Sequence, residues 1–158
     1  MERNNSTTQN ISEKYRKYLI EIVLCKKTYY TISGIDASIS DDDVYLSDKS
    51  NVLLFQNVDL LKEYILNPLN KYIFDRDNLV NWVKENSTFV PYAHFNFDKI
   101  SNISYESLKD VNNIDLKEEL LSIFYFVNFL KDLKYQFSNK KLEKILDSNA
   151  INKFSKYC

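Results

Sequence analysis

Glycine is almost missing: Gly34 is the single one in 158 residues. Phosphate-cradling loops and the dinucleotide fingerprint need several residues without a Cβ, so that backbone N–H groups can approach a phosphate. Both are excluded. His94 is the only histidine, which removes any two-histidine metal site. Cys25 and Cys158 lie far apart and form no C-x-x-C pair, so a zinc ribbon and a thioredoxin-like site are excluded too. Two cysteines in a chain of this length read as reduced, cytosolic thiols. Cys25, behind an apolar strand, is expected to be buried, and Cys158 exposed. Long apolar runs are also absent. Leu120–Leu130 is the longest, at 11 residues including Ser122 and Asn128, against about 20 for a bilayer. Met1–Asn10 is polar and lacks the apolar centre of a signal peptide. A cytoplasmic protein with no membrane span is the expectation.

Charge excess of one sign is missing as well. With 21 basic and 22 acidic residues the net charge is -1, so no basic surplus is available to neutralise phosphates. Lys outnumbers Arg 18 to 3, and bidentate guanine contacts favour Arg; nucleic acid is not an expected partner. What is present is a folding composition, 44% hydrophobic and 27% charged. A chain this long buries roughly 70% of its unfolded surface and needs no disulfide or metal to hold a core.

The order of patterns is strands first, helices afterwards. Residues 1–12 read as a flexible polar tail, followed by a single domain over 13–158. Tyr18–Cys25 is short and rich in β-branched residues, as is Thr28–Ser33, and a turn at Lys26–Lys27 joins them into a hairpin. Asp36–Ser50 reads as a loop or ragged hairpin around Val44-Tyr45-Leu46, and Val52–Phe55 as a buried strand. The period then becomes helical. Asn57 caps a helix carrying Leu60, Leu61, Tyr64 and Ile65 on one face, and Pro68 stops it. Asp75 or Asp77 caps a second, with Leu79, Trp82 and Val83 inward. Residues 86–98 read as a loop, and 104–110 as a short helix.

The clearest helix is 115–137. Asp115 and Glu118 have capping-box spacing, with Asp in place of Ser or Thr. Leu116, Leu120, Ile123, Val127, Leu130 and Phe137 recur at steps of three and four or their sum, while Leu121, Phe124, Tyr125, Phe126 and Phe129 fill the other faces. Such a helix is expected to be central and packed on more than one side. Ser138 and Ser148 are candidate caps for two further short helices. The fold class is therefore α+β, a small N-terminal antiparallel sheet against a C-terminal helical layer.

Net charge hides an asymmetry. Residues 35–63 hold Asp36, Asp41, Asp42, Asp43, Asp48, Asp59 and Glu63 against Lys49 and Lys62, a local charge of -5. Residues 131–158 hold seven Lys against Asp132, Glu143 and Asp147, a local +4. An acidic loop bearing Tyr45 suits a basic protein surface, charge raising the association rate and Tyr adding contact area. The same acids could instead solvate a loop. An EF-hand starting at Asp41 would need Gly and Glu where Leu46 and Val52 stand. A Mg²⁺ site from Asp36, Asp41 and Asp43 beside Lys49 would make a metal-dependent hydrolase or nuclease. His94 would need a carboxylate to orient it as a general base, and Asp98 is near in sequence; packing explains a lone His among aromatics as well. Tyr15, Tyr18, Tyr29 and Tyr30 could stack bases on a sheet, although facing a helical layer accounts for the same residues.

Val52-Leu53-Leu54-Phe55, the helix through Leu60 and Tyr64, and Phe74-Asp75-Arg76-Asp77-Asn78-Leu79-Val80-Asn81-Trp82 together resemble small bacterial immunity proteins of contact-dependent inhibition and related polymorphic-toxin systems. The resemblance covers residues 52–82. It implies a small cytoplasmic protein that is not an enzyme, holds no cofactor, and neutralises a cognate toxin, often a nuclease, by covering its active or substrate-binding surface. The family shares no fixed binding residues. The residues' own pattern nominates Asp41, Asp42, Asp43, Tyr45 and Asp48 as partner-binding, with the basic C-terminal segment in reserve. A metal-dependent hydrolase and a self-assembling phage or accessory structural protein are the alternatives.

Overall fold

The structure, a computed structural model, describes residues 2–36, 43–48, 51–70, 73–99 and 114–137. Its elements run α1 (Glu2–Tyr15), β1 (Lys17–Leu24), β2 (Lys27–Ile35), β3 (Asp43–Tyr45), β4 (Ser47–Asp48), β5 (Asn51–Val52), α2 (Val58–Leu66), α3 (Arg76–Glu85), β6 (Ala93–Asn96) and α4 (Ile114–Phe137). The class is α+β. One sheet has the order β3-β2-β1-β6, and β4 pairs with β5 in a second. β3 runs antiparallel to β2, with Ser33 opposite Tyr45 and Ile35 opposite Asp43. Tyr92 N–H bonds to Leu19 O and Phe97 N–H to Val23 O. Both bonds step forward along the two strands, so β6 lies parallel to β1 and the sheet is mixed where an antiparallel one was expected. Two compact units result, Met1–Ile22 with Lys27–His94, and Val23–Lys26 with Phe95–Cys158.

The first unit holds the core. Leu19, Ile32, Leu46, Leu61, Ile65, Ile73, Leu79, Trp82 and Val83 form one buried cluster, each large side chain contributing about 1.5–3 kcal/mol. Asn57 caps α2 as expected, its Oδ1 accepting from Leu60 N–H at 2.9 Å. Leu61 and Ile65 are buried and Leu60 is exposed, so the inward face is narrower than the four residues named from sequence. Val52–Phe55 is no buried strand: only Asn51–Val52 pairs with β4, Phe55 bridges to Tyr30, and Leu54 is exposed.

The expected tail is a helix. In α1, Thr8, Ser12, Ile11 and Tyr15 recur at three- and four-residue steps and turn inward. The stripe is largely hydroxyl-bearing, which is why apolar periodicity missed it. It is held by polar contacts: Trp82 Nε1–H donates to Ser12 Oγ at 3.3 Å, and Thr8 Oγ1 donates to Thr88 O at 3.0 Å. At its end Lys14 and Tyr15 both bond to Glu85.

Gly34 is required by proximity. A Cβ there would lie 2.4 Å from Arg16 O and 2.8 Å from Lys17 Cδ. That close approach lets Lys17, 0% exposed, run beneath β2 to donate to Ile35 O at 2.5 Å and pair with Asp75 Oδ2 at 2.7 Å.

In the second unit the hairpin tip is Cys25–Lys26, one residue earlier than predicted. Both have left-handed backbone, φ 53° and 60°, the turn geometry that normally selects Asn-Gly. Asp98 substitutes for that signal, accepting from Cys25 N–H at 2.6 Å and Lys26 N–H at 2.5 Å. Cys25 is exposed rather than buried, because it occupies the turn and not the strand. Residues 86–98 are not all loop: Phe95 and Phe97 project rings onto α4, with centroid distances of 5.5 Å for Phe95–Tyr125 and 4.9 Å for Phe97–Phe126. α4 matches the predicted bounds. Ile123 and Leu130, seven residues apart on one face, are buried, whereas Leu121, Phe124, Tyr125 and Tyr135 stay exposed, so among its described side chains α4 is not the central buried helix expected. The helices expected at 104–110 and after Ser138 and Ser148 lie outside the described residues.

Candidate partner-binding surface

The acids of 35–63 divide into three fates. Asp36 is buried, and its Oδ2 accepts from Asp75 N–H at 3.0 Å. That carboxylate serves the start of α3. Asp41 and Asp42 lie outside the described residues. Asp43, Asp48, Asp59 and Glu63 are exposed.

Tyr45 is not the surface aromatic the sequence suggested. It is 4% exposed, packed on β3 opposite Ser33. Asp43 and Tyr45 share one face of β3 by alternation, and only the second of them is buried. The half-buried aromatic beside the acids is Tyr64. Its ring lies 5.3 Å from Phe55, and burial together with the Asp48 charge raises its phenol above the usual value. Asp43, at the other end of β3, adds to burial and the Glu13 hydrogen bond in pushing Tyr18 up to about 12.

α2 presents Asp59, Leu60, Glu63 and Leu66 outward, a stripe at the spacing of one helix face. Asn57 fixes its start and Asn67 ends it, the Asn67 N–H returning to Glu63 O at 3.0 Å. Asp59, in the first turn, also matches the positive end of the helix dipole. Apolar spacing alone groups Leu60 with Leu61, Tyr64 and Ile65 on one face. The signal that separates it from Leu61 is its position beside Asp59 and one turn before Glu63.

His94 pairs with Glu21, not with Asp98. Its Nδ1 lies 2.6 Å from Glu21 Oε1, and Tyr30 donates its hydroxyl to Glu21 Oε2 at 2.9 Å. The carboxylate thus orients a ring whose side chain is 53% exposed. A general base needs such an orienter, but the third member here is a phenol bonded to the carboxylate rather than a nucleophile facing Nε2. Tyr29 and Tyr30 stand on β2, and Tyr30 joins the core edge. A cleft of about 250 Å³ lies elsewhere, lined by Thr8, Gln9, Ser12, Val90, Pro91 and Tyr92. Among the described residues no three His, Cys, Asp or Glu side chains are grouped to hold a metal ion, and no helix is long and apolar enough to cross a membrane.

No protein-family model matches the chain, and no curated protein matches it. It is similar to a solved structure, that of the SatS C-terminal domain in complex with bromine. The identity is 13%, the TM-score 0.58, and the match covers 88% of this chain and 73% of that one. That likeness concerns the fold alone.

Proposed function

We propose that this chain is an immunity protein. It binds a cognate bacterial toxin, a nuclease, in the cytoplasm and covers its active or substrate-binding surface, performing no chemistry itself. The observation that supports the reading is that four acids, Asp43, Asp48, Asp59 and Glu63, are exposed, and Tyr64 sits within the field of Asp48. Nucleases present basic surfaces to phosphate, so an acidic cover attracts them at long range and occupies the substrate's place. Asp41 and Asp42 extend the same charge along the sequence. Tyr45 supports the surface from within the core.

The test is co-expression of this chain with the C-terminal fragment of the protein encoded immediately upstream. Survival of the cells and a stoichiometric complex on size exclusion are expected. A harmless fragment, or cell death despite co-expression, would contradict the reading.

A further inference from the structure

The geometry points to the outward face of α2 as a docking face for a lysine- or arginine-bearing segment with apolar side chains on a protein partner. The inference rests on the binding role proposed above, and adds where the anchors lie and what they accept.

Single exposed leucines are ordinary on a protein surface; leucines on either side of carboxylates give one helix face a mixed apolar and acidic character. Leu60 is 44% exposed and Leu66 42%, and Leu69, in the turn behind the helix, is 82% exposed. Asp59 and Glu63 stand between and beside them on the same stripe. The only cation on α2, Lys62, donates to Asp59 Oδ1 at 3.0 Å while its ammonium lies 5.2 Å from the Phe89 ring centroid. The lysine is thus drawn toward the Phe89 side, and Asp59 keeps a side chain 83% exposed.

This pattern selects the occupant by charge. Carboxylates interleaved with leucines repel phosphates and anionic lipid headgroups, which leaves a cationic protein segment as the complement. Carboxylates hold the middle of the face and leucines flank them, so charge draws in a cationic segment and apolar contacts on either side add burial.

The probe is a helical Leu/Lys peptide, compared with a Lys/Ser peptide of equal charge, a Leu/Glu peptide, duplex DNA and vesicles of anionic lipid. Amide shifts of the intact ¹⁵N-labelled chain locate the contact. Leu/Lys binding is expected to move the amides of 59–69, at least tenfold more tightly than Lys/Ser. Leu60→Ala with Leu66→Ala should weaken it tenfold or more, and Asp59→Asn with Glu63→Gln should flatten its salt dependence; none of the four side chains is in the buried core, so both variants should fold, with only a small fall in melting temperature. Equal binding of Lys/Ser, binding of the Leu/Glu peptide, DNA or vesicles at this face, shifts centred elsewhere, or burial of this face in a dimer by sedimentation would overturn the inference. Loss of the immunity reading shows differently, as an uninhibited toxin while Leu/Lys binding at α2 persists. Conversely, unaltered toxin capture by the Leu60→Ala, Leu66→Ala variant would remove this face alone.

Discussion

Lys17 and Asp75, 58 residues apart in sequence, meet as an ion pair at 2.7 Å with the lysine wholly buried. The ammonium also bonds to Ile35 O, and Asp75 starts α3 in a left-handed conformation, φ 42°, held through Asn78 and Asp36. The pair therefore ties β1 to the first turn of α3. Removing one partner strands a buried charge: Asp75→Ala should cost about 3–5 kcal/mol. Lys17→Met keeps the stem volume and leaves only the more exposed Asp75 unpaired, so it should cost less than Asp75→Ala. Urea denaturation of both variants checks the order.

Gly34 makes that burial possible, and its replacement tests the packing directly. Gly34→Ala sets a methyl 2.4 Å from Arg16 O, a backbone atom that cannot turn aside. A cost at or above the usual 1–3 kcal/mol of overpacking is expected. The same denaturation series reads it, and an unchanged midpoint would contradict the close approach.

Asp98 and the hairpin turn give a prediction with a rescue. Asp98→Ala removes two charge-assisted bonds to Cys25 and Lys26 N–H and should destabilise the fold by about 1.5–3 kcal/mol, the range for hydrogen bonds to a charged group. Installing Cys25→Asn and Lys26→Gly supplies residues that adopt φ above zero unaided. Those changes should recover part of the loss in the Asp98→Ala background and yield less in the parent.

The tyrosines give a pH dependence. Burial first, then the Glu13 hydrogen bond and nearby negative charge, pushes Tyr18 up to about 12 from an ordinary 10.0. A raised folded value favours the protonated phenol in the native state. Its stabilisation is fully present below pH 10 and is lost as pH rises from there toward 12. Tyr18→Phe should lessen the fall in melting temperature across that window, and absorbance titration should lose one late-ionising tyrosine.

Much of the framework is legible in the sequence, and the omissions have physical causes. β1, β2, α2, α3 and α4 announce themselves through β-branched runs, an Asn cap and apolar spacing. α1 escapes because its inward stripe is Thr8, Ile11, Ser12 and Tyr15, satisfied by bonds to Trp82 and Thr88 that only the fold supplies. β6 escapes because His94 and Asn96 interrupt a four-residue strand. The Cys25–Lys26 turn has no local signal, since its stabiliser is 73 residues away. At the surface, charge was legible and orientation was not: Asp43 and Asp48 face out, but Asp36 and Tyr45 face in and Leu60 faces out.

The central claim is inhibition by covering, and a titration measures it most directly. The toxin fragment's nuclease activity is followed as the purified chain is added in rising molar ratio. The account predicts a linear fall to zero at one equivalent, with Asp43→Asn, Asp48→Asn, Asp59→Asn and Glu63→Gln together slowing association in low salt. Activity that persists at several equivalents, or inhibition indifferent to those four carboxylates, would contradict it.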